Sequence, residues 1–412
     1  MRSSQDSVFK LQPEPISKPN PEEQTPAVAP APNQEPIPKS DLKPEPDPKP
    51  EPSPAKIVGA GIPNLGGTCY MNAALQVLYR NKLLADSIPI LSKVLLEDAK
   101  FDVIRDLSKI FEYLSNPTVN GIRIQPCPRE LVEKFFTALQ ATGAWRHLTS
   151  EQCDASEFVI YLLNYIQTSF NNIPQSQANA LVDAALALNK ITSDEMNTLK
   201  QIKFYRSNGD RGACVGVDLG FNFSPQTLMQ WLINDQPDGE ILAPVNPETQ
   251  FSIPIAPTAA IKDLNAGLVA LAQPEEISDY TDGIREKQPA MRRQKFVTLP
   301  QFLTIQVKRY TYDAAGGGCR KINDRFEFTN KIDLAPTTLD PKTPAPYQLL
   351  SIMAHSGSAV GGHYVAYAKI NGVWFKFDDS SATEVPRSEI EGLYGNGTCG
   401  MNAYMLFYQR VE

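Results

Sequence analysis

Apolar residues recur at helical spacing from residue 69 onward. Met71, Leu75 and Leu78 form a stripe that Ala74 and Val77 widen, which predicts a buried helix just after Cys69. The same period returns in "RELVEKFFTALQ" (129–140) and in "EQCDASEFVIYLLNYIQ" (151–167), where Phe158, Leu162, Leu163 and Ile166 share the core face. In "ITSDEMNTLKQI" (191–202), Thr192 stands three residues before Glu195, a capping-box pattern. The second half changes period. "QFLTIQVKRYTY" (301–312), "YQLLSIMAH" (347–355), "HYVAYAKI" (363–370), "VWFKFDD" (373–379) and "AYMLFYQR" (403–410) are rich in β-branched and aromatic residues and are separated by turn residues, so they predict strands. Asn371-Gly372 is a two-residue hairpin turn. Helices in front and an antiparallel sheet behind make an α+β chain.

Composition sets off the first 55 residues. Fifteen of the 35 prolines precede Ala55, "KPEPDPKPEPSP" alternates proline with charge, and Phe9 is the one aromatic residue there. Such a segment buries too little apolar surface to offset its ordering entropy, and a disordered, Pro-rich, acidic arm is expected over 1–55. The net charge of −7 offers no basic stripe, and nucleic acid is not an expected partner. No apolar run approaches the ~18 residues that span a bilayer. The first residues, "MRSSQDSVFKLQPEP", lack the apolar core of a standard secretory signal.

Cysteines stand at 69, 127, 153, 214, 319 and 399, with no C-x-x-C pair among them. Free thiols in a reducing compartment, and hence a cytoplasmic location, are the simpler expectation. Cys69 follows the glycine-bearing loop "GIPNLGGT" (61–68) at a predicted helix start. There a thiol gains from the helix dipole and from unpaired amides, as a nucleophile needs. A buried structural cysteine is the alternative. Asn64, five residues upstream, can donate to a developing oxyanion. Of three histidines (147, 355, 363), His363 opens a strand, and Asp378 and Asp379 close the next strand of the same hairpin. The start of one hairpin strand lies beside the end of the other, so a carboxylate can reach the imidazole. A core histidine and an ordinary turn are the alternatives, and either acid can be the partner.

Five blocks in order resemble the ubiquitin-specific proteases, papain-like cysteine deubiquitinases. "GIPNLGGTCYMNAALQVL" resembles the family's cysteine box and "QCDASEFV" (152–159) its Gln-Gln-Asp-Ala-x-Glu-Phe-Leu segment. "LPQFLTIQVKRYTYD" (299–313) resembles the strand that usually ends in Leu-Lys-Arg-Phe. "GGHYVAYAK" with "WFKFDDS" resembles the histidine box, and "NAYMLFYQR" the closing strand. The resemblance implies a thumb (about 56–200), fingers (about 201–298) and palm (about 299–412) within a catalytic domain over 56–412. It implies Cys69 as nucleophile, His363 as base, Asp378 as third member, Asn64 in the oxyanion hole and Asp379 as an assisting residue. Tyr364 is expected to line the channel for the ubiquitin tail, and His355 either to flank it or to sit in the core. Asp154 and Glu157, three apart on the predicted helix, are expected either to read the tail's arginines or to be solvated charges.

One block departs from the family. The zinc-binding cysteine pairs of many members are missing: "SDYTDGIREKQP" (278–289) has Asp282 and Arg285 where one pair would fall. No metal and no cofactor is expected. The implied partners are ubiquitin and ubiquitinated proteins, and the implied state a monomer. The alternatives are a protease for another ubiquitin-like modifier or an inactive ubiquitin-binding scaffold. The arm and the reduced fingers also suit a divergent protein delivered into a host cytosol.

Overall fold

A computed structural model describes residues 60–94, 98–115, 126–169, 252–281, 287–313, 318–396 and 400–411. It also describes Thr192, residues 194–195 and the backbone of strands at 118–119, 122–123, 173–174, 203–206, 213–218, 224–233 and 236–242. The arm expected over 1–55, and Asp282 and Arg285, lie outside the described residues.

Helices come first: α1 (Cys69–Leu78), α2 (Lys82–Val94), α3 (Asp102–Ser115), α4 (Arg129–Ala141) and α5 (Ala155–Thr168), with α6 (Leu264–Ala272) and α7 (Arg387–Gly392) later. Numbering the main-sheet strands alone, they are β1 (Ile253–Ile255), β2 (Phe302–Val307), β3 (Lys331–Asp333), β4 (Pro346–Gly357), β5 (Gly362–Ile370), β6 (Val373–Asp378), β7 (Ser381–Val385) and β8 (Met401–Arg410). Their order is β7-β6-β5-β4-β8-β2-β1, with β3 also paired to β4. Every pairing is antiparallel except β1 with β2.

The sheet is buried on both faces, which explains why its strands read as nearly continuous apolar runs. On one face Met353, Ala366, Phe377, Met405 and Phe407 pack under the front helices. On the other, Ile305, Ile352, Val365, Leu406 and Tyr408 pack with Leu264 and Leu268 of α6 and Ile390 of α7. All ten residues of α1 are buried, between the sheet and α5. Its two amides, Asn72 and Gln76, lie one turn apart and donate to the carbonyls of Ile62 (3.0 Å) and Ala60 (2.8 Å). They therefore satisfy backbone that would otherwise be buried unpaired. Gly61 closes the other side of this segment. A Cβ there would sit 2.3 Å from the Ser380 carbonyl, so only glycine lets the chain pass β6's end. Among the described residues no helix is long and apolar enough to cross a membrane.

The structure revises three expectations. The helix expected over 151–167 starts at Ala155, because Asp154 takes extended backbone and caps it: its carboxylate accepts from the amides of Ser156 (2.7 Å) and Glu157 (3.2 Å). The strand expected over 301–312 breaks after Val307. Arg309 is buried and donates to the carbonyls of Ala403 (3.2 Å), Asp324 (2.5 Å) and Tyr394 (3.0 Å), so the chain turns to bring the guanidinium inward. A separate hairpin, Tyr310–Asp313 with Gly318–Lys321, follows. Finally, β1 falls in the range expected for the fingers yet pairs with the main sheet. The Thr192–Glu195 capping box is formed, with bonds of 2.7 and 3.2 Å in the two directions.

Candidate active site

Two layers meet at the site. Cys69 is the first residue of α1, where backbone amides have no intrahelical acceptor. The loop before it is wound around Asn64. The Asn64 Oδ1 accepts from the amides of Gly66 (2.8 Å) and Thr68 (3.0 Å), and the Thr68 Oγ1 accepts from Leu65 (2.9 Å). Gly67 lets this loop touch the segment before α5. Its amide donates to the Thr149 carbonyl at 2.5 Å, and a Cβ would lie 2.7 Å from the Glu151 carbonyl oxygen.

The sheet supplies the rest. His363 stands at the start of β5 and Asp378 at the end of β6, one residue past the Ala366–Phe377 pair. His363 Nε2 and Asp378 Oδ1 are 2.6 Å apart. Cys69 is the imidazole's other partner: hydrogen bonding to its sulfur is the largest cause raising His363 to about 9; burial opposes it and Asp378 adds to it. Burial opposes ionisation of Asp378, but bonds from His363 and from Lys376 (3.4 Å) hold it below its ordinary value. The hairpin argument for carboxylate and imidazole thus selects Asp378.

Asp379 faces elsewhere. With φ of 47° it turns its carboxylate toward the helical layer: Oδ1 accepts from Asn72 Nδ2 (2.7 Å) and Oδ2 from Asn64 Nδ2 (2.9 Å). Its carbonyl accepts from the Ile62 amide at 2.8 Å. Asp379 thus takes one of the two Asn64 amide protons.

His355 is buried on β4, paired with Tyr364 of β5. The two rings lie 4.5 Å apart. His355 Nδ1 and the Tyr310 hydroxyl are 3.1 Å apart. Burial, then the nearby Lys321, push His355 down to about 4, so it is neutral at physiological pH. Tyr364 is buried as well, its hydroxyl bonded to the Ala155 amide. Asp154 and Glu157 do not share a helix face, contrary to expectation. The cap and a 2.5 Å bond from the Tyr404 hydroxyl occupy the Asp154 carboxylate, whereas Glu157 is exposed on the first turn.

Two residues that the sequence pattern did not single out also join the site. Gln152 Oε1 accepts from the Gly362 amide at 2.8 Å and ties the segment before α5 to the residue preceding His363. Its signal was its place at the head of the "QCDASEFV" block. Asn72 gave no signal beyond its place on α1. The His363, Asp378 and Asp379 ligand atoms lie within 4.8 Å of one another, close enough to share an ion. Those atoms are instead bonded to each other, to Asn64 and to Asn72.

A helical layer presenting a thiol to an imidazole–carboxylate pair on a sheet is the arrangement seen in papain-like thiol hydrolases. The sequence comparison narrows this. The family model described as Ubiquitin carboxyl-terminal hydrolase matches residues 60–408, and the chain belongs to that family. It is 27% identical over 365 residues to ubiquitin carboxyl-terminal hydrolase 7 of Drosophila melanogaster, covering 85% of this chain and 27% of that protein. It is 26% identical over 371 residues to ubiquitin carboxyl-terminal hydrolase 12 of Salmo salar, covering 85% of this chain and 89% of the relative. The chain thus spans about a quarter of the Drosophila protein and 16% of mouse ubiquitin carboxyl-terminal hydrolase 9Y. Among solved structures, the SAGA Ubp8/Sgf11/Sus1/Sgf73 DUB module bound to ubiquitin aldehyde matches with a TM-score of 0.61 at 20% identity, over 86% of this chain and 70% of that one. That likeness shows the ubiquitin-specific protease fold.

Proposed function

We propose that this chain is a deubiquitinase that hydrolyses the isopeptide or peptide bond after ubiquitin's C-terminal glycine. The observation that carries the reading is the Cys69–His363–Asp378 set, assembled across two layers in a chain of this family. Cys69 passes its thiol proton to His363 and its sulfur attacks the glycine carbonyl. The developing oxyanion takes the free Asn64 N–H and the first-turn amides of α1. His363, oriented by Asp378, gives its proton to the leaving lysine amine, and a thioester remains. Water, deprotonated by His363, then releases ubiquitin and restores the thiol. Asp379 assists by holding Asn64. His355 and Tyr364 form the buried wall behind the channel for the tail. Six cysteines without a C-x-x-C pair fit free thiols in a reducing compartment, and a cytoplasmic setting is part of this proposal.

The direct test is a ubiquitin carrying a C-terminal electrophile, run beside the same electrophile on other ubiquitin-like modifiers, with the adduct mapped by mass spectrometry. A ubiquitin adduct on Cys69 is expected. Adducts on another cysteine, or a marked preference for another modifier, would overturn the reading.

The exposed Glu157 is the acid free to pair with an arginine of the tail Arg-Leu-Arg-Gly-Gly. Glu157→Ala is expected to raise KM for ubiquitin substrates roughly 10-fold with kcat little changed. On a ubiquitin whose tail arginines are alanine, the variant and the parent should differ far less. Simple addition of the two losses would return Glu157 to the solvated charges.

A further inference from the structure

We propose that Asn72 is a positioning residue for hydrolysis: its side-chain amide locks α1 to the Asp379 carboxylate and thereby sets the Asn64 amide against the reacting carbonyl. The proposal rests on the reading of Cys69, His363 and Asp378 as the catalytic set.

Asn72 lies three residues after Cys69 on α1 and is 2% exposed. Its Nδ2 spends both hydrogens, on the Ile62 carbonyl (3.0 Å) and on Asp379 Oδ1 (2.7 Å). Both neighbours only accept, so the amide orientation is dictated by its partners. Its Oδ1, by contrast, is buried with no hydrogen-bond partner. An orphaned buried carbonyl costs stability that an apolar side chain of the same size would not. What Asn72 provides is therefore its pair of donors.

Those donors close a ring. The Ile62 amide donates to the Asp379 carbonyl (2.8 Å), the Ile62 carbonyl accepts from Asn72, and Asn72 donates to the Asp379 carboxylate. The ring holds Asp379 in its left-handed backbone conformation at φ 47°, a region that few residues besides glycine, asparagine and aspartate adopt. The remaining Asp379 oxygen takes Asn64 Nδ2 at 2.9 Å, while Asn64 Oδ1 is held by its own loop. The orientation of Asn64 is thus set from both ends, and one of those ends leads through Asp379 to Asn72.

Asn72→Asp keeps the shape and removes the donors. At pH 7.5 a carboxylate then faces Asp379 and repels it, the anchor of Asn64 is displaced, and kcat is expected to fall about 10- to 100-fold with KM nearly unchanged. The ceiling is the roughly 10²–10³-fold loss of one oxyanion donor. The titratable and charged groups around the new acid are Asp379 just after β6, Asp378 and Lys376 at the end of β6, His363 on β5 and Cys69 on α1. Arg129 of α4 reaches the Asn64 carbonyl at 3.3 Å. Two carboxylates at hydrogen-bond distance share a proton as pH falls. That proton restores a donor to Asp379, so the ratio of variant to parent kcat should rise several-fold between pH 7.5 and 5.5. Asn72→Ala should fall by a similar factor and show no such recovery.

In the parent, a ubiquitin electrophile must label Cys69; labelling elsewhere sinks the catalytic reading and not the role of Asn72 alone. With Cys69 labelled, an Asn72→Asp kcat within twofold of the parent overturns the proposal. So does a loss whose pH profile matches that of Asn72→Ala. Should Asn72→Asp fail to fold, a cycle of Asn72→Ala with Asp379→Asn decides. Residues acting through one bond give non-additive losses, and additive losses overturn the proposal.

Discussion

Cys69→Ala is expected to bring turnover of a fluorogenic ubiquitin amide to background while ubiquitin binding and the fold remain. In the proposed mechanism the sulfur is the atom that forms the thioester, and alanine removes it without touching the rest. Alanine is the best helix former, so the start of α1 is not weakened by propensity. Loss of one buried sulfur from the core costs about 1 kcal/mol, a small fraction of a domain's stability. No other described thiol is placed to take over. Burial pushes Cys127 up to about 12 and Cys153 up to about 11, so both are protonated at neutral pH. Cys319 is exposed on the hairpin after Arg309, and neither the imidazole nor the helix terminus serves it. Steady-state kinetics, a thermal melt and a pull-down on immobilised ubiquitin check the three parts of the expectation. Residual turnover above background would transfer the nucleophile to another residue and dissolve the triad.

How much of this was legible in the sequence depends on how local each cause is. Helix α4, expected over 129–140 and observed over Arg129–Ala141, carries its cause in its own 3.6-residue period. The central strands also declared themselves, because a strand buried on both faces must be apolar along its length. The start of α5 was misplaced because "EQCDASEF" continues the apolar spacing, whereas the true boundary is set by the Asp154 side chain accepting from the amides ahead of it. The break after Val307 was invisible because the Arg309 guanidinium is drawn to carbonyls 13 to 94 positions away. Strand β1 has three residues, too few to show any period, and owes its place to a parallel partner about 50 residues later. The same distinction holds inside the site. Cys69, His363 and the pair Asp378-Asp379 were marked by helix start, strand start and hairpin. Which acid does what is a tertiary fact: Asn64 and Asp379 are 315 positions apart.

Removal of Asp378 tests that division of labour. Asp378→Ala is expected to lower kcat roughly 10²–10⁴-fold, because the imidazole loses both its orientation and a charge that stabilises the imidazolium. The pH profile carries the more specific sign. His363 sits at about 9 chiefly through its bond to Cys69, against burial, with Asp378 contributing a further rise. Catalysis needs the protonated imidazole to release the amine, so activity is lost as pH rises through the His363 value. Without Asp378 that value drops, and the basic limb of kcat must move to lower pH. Asp379→Ala has a different signature. It frees Asn64 and Asn72 and leaves the His363 partners in place, so kcat should fall by less, at most the roughly 10²–10³-fold of one lost oxyanion donor. The basic limb should stay where it is. Profiles of kcat between pH 6 and 10 for the parent and the two variants make the comparison. A basic limb that moves in Asp379→Ala and stands still in Asp378→Ala would exchange the two acids, and with them the reading of the 2.6 Å contact as the bond that orients the base.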